Sequence, residues 1–100
     1  MMNQLVQMLG LAMRAGFVVT GEERVVQSIR SGQAKLVFIA NDAGFNTKKK
    51  LTDKASYYDV PLLNHLDRRT LGHALGKEQR VAVAVIDHGF AGKLLKLSQL

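Results

Sequence analysis

The chain has 100 residues, 47% of them hydrophobic, which is enough for one domain with a genuine core. Its 14 Lys and Arg against 8 Asp and Glu give a formal charge of +6 and a pI near 10.0, a balance suited to nucleic acid or another anionic surface. With no cysteine, disulfides, thiolate chemistry and cysteine zinc sites are excluded, and no run of about 18 apolar residues is available to span a membrane.

The opening residues, Met1-Met2-Asn3-Gln4-Leu5, lack the basic region and long apolar segment of a signal peptide, so a cytoplasmic protein is expected. Leu5, Leu9, Ala12 and Met13 then recur at helical spacing, and Gly16 falls where a C′ glycine stops a helix. Phe17-Val18-Val19 is a short β-like run. Thr20 is expected to cap a second helix carrying Val25, Val26 and Ile29 and ending near Gly32. Leu36 to Ala40 is unbroken apolar sequence, the mark of a strand covered on both faces, and it ends in the polar pair Asn41-Asp42. A third helix is expected from about Asn46 to Tyr58, with Leu51, Ala55 and Tyr58 inward. Val60-Pro61-Leu62-Leu63 gives a short strand whose proline sits near its start, where a missing N–H is tolerated. Asp67 caps a fourth helix holding Leu71, Ala74 and Leu75, closed by Gly76. Val81 to Ile86 is the second long buried strand, and Phe90, Leu94 and Leu97 line a last helix capped by Asp87. This alternation implies an α/β domain, a sheet between helical layers, with Leu36–Ala40 and Val81–Ile86 as its central neighbours. No linker or internal repeat divides it.

Enzymatic constellations are poor. His65, His73 and His88 form no i, i+4 metal pair, the serines lack a glycine elbow, and no phosphate-loop glycine pattern occurs. No cofactor or metal is expected. Binding residues are easier to find. Thr20-Gly21-Glu22-Glu23 fits a capping box, with Thr20 at the N-cap and Glu23 three residues on. Gly21, read as part of the first turn, would let a ligand approach bare backbone, and a Cβ there is expected to leave the helix unharmed. A helix N-terminus favours anions. Lys48-Lys49-Lys50, with Lys54 a turn beyond, has only Asp53 among it, so phosphates are its expected counter-charge. Arg24, Arg30, Arg68, Arg69, Lys77 and Arg80 are further candidates.

Several blocks in order resemble one family: Leu9-Gly10-Leu11-Ala12-Met13-Arg14-Ala15-Gly16, Gly21-Glu22-Glu23, Ala34 to Asp42, Asn46-Thr47-Lys48-Lys49-Lys50-Leu51, Val60-Pro61, Leu71 to Lys77, and Val83-Ala84-Val85. Over nearly the full chain it looks like the kink-turn-binding ribosomal protein family, and within that the bacterial YlxQ-type, ribosomal-protein-like branch. The resemblance implies a three-layer α-β-α sandwich with a four-stranded mixed sheet, and one RNA-binding domain over residues 1–100. It also implies recognition of an RNA kink-turn, a sharp bend displaying tandem sheared G·A pairs. In the RNA-binding members, a glycine opens the second helix, followed after one residue by Asn-Glu and, three positions later, a lysine. Gly21 matches that glycine, while Glu23, Arg24 and Gln27 stand in place of the asparagine, glutamate and lysine. Glu23 accepts hydrogen bonds but donates none, Gln27 keeps a donor without the charge, and Arg24 adds a cation. Lys77, Arg80 and Val81 match the family loop that closes over the bend. The expected RNA-binding set is therefore Gly21, Glu22, Glu23, Arg24, Gln27, Asn41, Lys48, Lys49, Lys50, Lys77, Arg80 and Val81. The expected protein is a non-catalytic, monomeric binder of structured RNA, with ribosomal RNA one candidate. The alternative is a protein–protein adaptor that kept the fold and lost guanine reading.

Overall fold

The computed structural model describes residues 2–100, and Met1 lies outside them. The elements follow in the order α1 (Met2–Arg14), β1 (Val18–Thr20), α2 (Glu22–Arg30), β2 (Leu36–Ile39), α3 (Phe45–Tyr57), β3 (Leu62–Leu63), α4 (Arg68–Ala74), β4 (Ala82–Val85) and α5 (His88–Ser98). The sheet order is β1-β4-β2-β3. β4 runs antiparallel to both neighbours, pairing Val18 with Val85 and Ile39 with Ala82, while β3 lies parallel to β2 with Leu62 beside Val37.

The two continuous apolar runs are thus the central neighbours, and every residue of β2 and β4 is buried. Helices cover both faces: α2 packs on α3, and α1 packs on α4 and α5. Leu5, Leu9, Val25, Ile29, Phe38, Leu51, Leu71 and Leu94 fill the layers between, each contributing about 1.5–3 kcal/mol by leaving water. Ser28, a buried polar side chain, donates to the Val25 carbonyl at 2.7 Å.

Gly16 and Gly32, at φ 85° and 81°, end α1 and α2 as left-handed C′ residues. Asp67 and Asp87 cap α4 and α5, accepting from the Thr70 and Phe90 amides at 2.7 and 2.9 Å. Three expectations need correction. Thr20 is not a helix cap: it stays in β1, paired with Val83, and α2 opens on Gly21 without a side-chain cap bond. α3 begins at Phe45, one residue early, with Gly44 at its N-cap. Tyr58 is not inward but 42% exposed, beyond the end of α3.

Strand direction places the helix starts. β1, β2 and β3 share one direction, so their C-terminal ends lie at one end of the sheet. Each is followed by a helix, so α2, α3 and α4 all begin there.

Candidate nucleic-acid interface

Backbone hydrogen bonds knit that end of the sheet together. The Gly21 amide donates to the Ala82 carbonyl at 3.1 Å, Ala40 to Val81 at 2.9 Å, Asn41 to Leu66 at 2.9 Å, and Arg80 to Arg68 at 3.1 Å. Gly21, Asn41 and the adjacent pair Arg80-Val81, three segments far apart in sequence, therefore border one surface. Val81 is half-buried and sits outside the strand, its carbonyl occupied by Ala40. Arg80 is half-buried, and its guanidinium donates to the Gln79 carbonyl at 2.8 Å. Lys77 is exposed, with its amide donating to Gly72 at 2.9 Å.

Gly21 has φ 97° and ψ 141°, a conformation that side chains rarely adopt. A Cβ built there meets nothing within 4 Å. The space is open but the backbone is not free, so the expectation of a harmless Cβ is wrong: any side chain here strains the turn from β1 into α2. The same turn leaves the first amides of α2 without a side-chain acceptor. Gly44 does likewise for α3, in ordinary extended geometry at φ −63° and ψ 157°. Helix starts of this kind present amide donors and partial positive charge.

Glu22 bridges the two starts. Its carboxylate accepts from Thr47 Oγ1 at 2.8 Å and Lys50 Nζ at 3.2 Å, and the Thr47 hydrogen bond, aided by Lys50, holds its pKa below the ordinary value. The lysine run is thus not short of acids, as its sequence implied. Lys50 is paired with Glu22, and Lys49 with Asp53 at 3.2 Å. Lys48 makes no ion pair among the described residues. Arg68 is likewise committed: its amide and guanidinium bond to Asp42, with an ion pair of 3.4 Å.

Glu23, Arg24 and Gln27 are exposed on the first turns of α2. Arg24 and Gln27, with Val19, Ser28, Ser31 and Gln33, line a cavity of about 340 Å³ on the flank over β1. Sequence reasoning missed Thr47, which fixes Glu22, and Gly44, whose role as an N-cap has no side-chain signature. It also missed the role of Gly72, where a Cβ would stand 1.4 Å from the Glu78 carbonyl oxygen. Only a glycine lets the loop from Lys77 to Val81 cross α4 so closely.

Residues 3–95 match the model of the ribosomal protein L7Ae/L30e/S12e/Gadd45 family. The chain belongs to this family. Within it, the chain is 53% identical to the RNA-binding protein YlxQ of Bacillus subtilis over 90 residues, 90% of each protein. It is 34% identical to the large ribosomal subunit protein eL30 of Tetrahymena thermophila over 83 residues, covering 81% of this chain and 80% of that protein. A structure of a protein of unknown function from Bacillus halodurans C superposes with a TM-score of 0.93 at 45% identity, covering 96% of this chain and 97% of that one. The Giardia lamblia 15.5kD RNA binding protein shares the L7Ae-type fold, with a TM-score of 0.84 at 16% identity over 97% of this chain and 86% of its own.

Proposed function

We propose that this chain is a non-catalytic RNA-binding protein whose sheet end, bordered by α2, α3 and the loop from Lys77 to Val81, seats a sharply bent RNA of the kink-turn type. One observation carries the reading: the two adjacent helix starts, at Gly21 and Gly44, have no side-chain caps and are clamped together by Glu22, Thr47 and Lys50. Rigid rows of amide donors with partial positive charge suit phosphates crowded at a bend. Lys48, Lys77 and Arg24 add cations around them. Glu23, an acceptor in the first turn of α2, suits the N–H groups of an unpaired guanine edge. The similarity to YlxQ and eL30 supports RNA as the ligand class and ribosomal RNA as one candidate source. No bond needs to break: binding stabilises a conformation in which phosphates approach each other.

The test compares a kink-turn RNA with the same RNA whose G·A pairs are replaced by Watson–Crick pairs, titrated over a range of salt. Preferential binding of the bent RNA is expected, with log affinity falling linearly against log salt. Replacing Lys48 by alanine, which leaves the Glu22–Thr47–Lys50 clamp in place, should reduce the slope by about 0.9 for each duplex phosphate no longer neutralised. It should also weaken both RNAs alike, because phosphate contacts carry little sequence information. Equal wild-type affinity for bent and straight RNA would reduce the surface to a general polyanion binder.

A further inference from the structure

The α3 helix carries a feature that seating a bend does not use. Running away from Lys50, its surface presents Lys54 one turn on and then Tyr57, with Tyr58 immediately after the helix. Tyr57 is 81% exposed and Tyr58 42%. Their rings meet edge to face, with centroids 4.9 Å apart at 77°, a favourable arrangement for an aromatic pair. Tyr57, left in water at this exposure, loses much of the free energy that burial would return, so the fold itself gives this ring little reason to be here. Lys50, Asp53, Lys54, Tyr57 and Tyr58 together line a cavity of about 410 Å³.

We infer that this cleft takes an unpaired nucleotide flanking the bent RNA, its base stacked on Tyr57 and its phosphate against Lys54. The inference rests on the reading of the sheet end as an RNA surface. Three observations support the occupant. The cleft is continuous with that surface through Lys50, which reaches Glu22 at the start of α2, and only seven residues, or about 10 Å of helix, separate Lys50 from Tyr57. Its charge suits a polyanion: Asp53 is already engaged by Lys49 at 3.2 Å, whereas Lys54 makes no ion pair among the described residues. Exposed aromatic rings beside cations that track a backbone are how proteins hold single strands without reading sequence, since every base offers a π face. The T-shaped contact with Tyr58 keeps the Tyr57 ring oriented before a base arrives.

The experiment uses the intact protein and two RNAs: a blunt kink-turn, and the same RNA bearing a short single-stranded oligoadenosine extension, placed in turn on each end. The wild type should bind one extended RNA about tenfold more tightly than the blunt form, the scale of one stacked base. Tyr57→Ala should abolish that preference and leave blunt affinity unchanged, whereas Tyr57→Phe, which keeps the ring, should retain it. Lys54→Ala should reduce the preference and its salt dependence. A wild type that binds blunt RNA yet gains nothing from either extension overturns this inference alone. A wild type that binds neither RNA overturns the reading of the sheet end with it. A concentration-dependent dimer that Tyr57→Ala dissolves overturns it in favour of self-association through the tyrosine pair.

Discussion

The helices that follow the strands begin in two different ways. α4 and α5 start on Asp67 and Asp87, whose carboxylates each accept a hydrogen bond from the first turn at 2.7 and 2.9 Å. α2 and α3 start on Gly21 and Gly44, which offer their first amides nothing. Capped starts satisfy themselves, and uncapped starts leave donors for water or a ligand. The uncapped pair lies side by side at one end of the sheet, held by Glu22 reaching Thr47 and Lys50. Stability and availability are thus divided among helix starts that share one fold, and variants at each kind should separate the two properties.

The largest effect is expected at Gly72, which supports the loop bordering the open starts. A Cβ would overlap the Glu78 carbonyl at 1.4 Å, and the obstacle is backbone, so it cannot rotate aside. Gly72→Ala should cost about 3 kcal/mol or more, at the upper end of overpacking penalties. A thermal melt close to wild type would show that the loop yields readily and is not fixed by this crossing. Gly21→Ala comes next. Its Cβ meets no atom, so the cost is conformational, about 1–3 kcal/mol for a residue held in a sparsely populated region. RNA affinity should fall beyond what the residual folded fraction explains, since the α2 amides are re-aimed.

At the closed starts, Asp87→Ala should lower stability by about 1 kcal/mol, and Asp67→Ala should lower it in the same sense, while folded protein keeps its RNA affinity. Loss of affinity with either would place a closed start within the binding surface and blur the distinction. Acid probes both kinds at once. Glu22 is held below its usual pKa by Thr47 and Lys50, and Asp67 by its hydrogen bonds to Thr70. Each therefore contributes stability above the unfolded carboxylate pKa, about 4, and loses it as pH falls through the depressed folded value. Melting temperature should decline across that window, and Glu22→Gln should remove part of the decline.

Much of this is legible in the sequence, and the exceptions have physical causes. Leu36–Ala40 and Val81–Ile86 announce the central strands because unbroken apolar runs have few other places to go. Asp67 and Asp87 are legible because capping is local chemistry. Thr20 misleads for the same reason: it has a capping side chain at the right spacing, but pairing with Val83 keeps it in the sheet and passes the helix start to Gly21. The Glu22–Lys50 pair spans 28 positions, and the Gly72–Glu78 crossing depends on how a loop returns over its own helix. Neither leaves a periodic trace. Tyr58 continues the Leu51–Ala55 spacing and so suggests an inward ring, yet α3 ends one residue before it.

The smallest effect is the most discriminating, because it converts one kind of start into the other. Gly44 already has the extended backbone of an N-cap, and a Cβ there meets nothing within 4 Å. An aspartate in its place can accept from the first turn of α3 as Asp67 and Asp87 do for theirs. Over glycine the cap gains a few tenths of a kcal/mol, and the charge at the helix N-terminus adds about 0.3–1 kcal/mol. Gly44→Asp should therefore melt slightly higher than wild type and bind RNA more weakly, its carboxylate occupying the amides and repelling phosphate. Gly44→Ser supplies a cap without the charge, and should stabilise less and impair binding less. A more stable Gly44→Asp variant with undiminished RNA affinity would mean that the start of α3 is open but untouched, leaving α2 and the loop from Lys77 to Val81 as the whole of the RNA-binding surface.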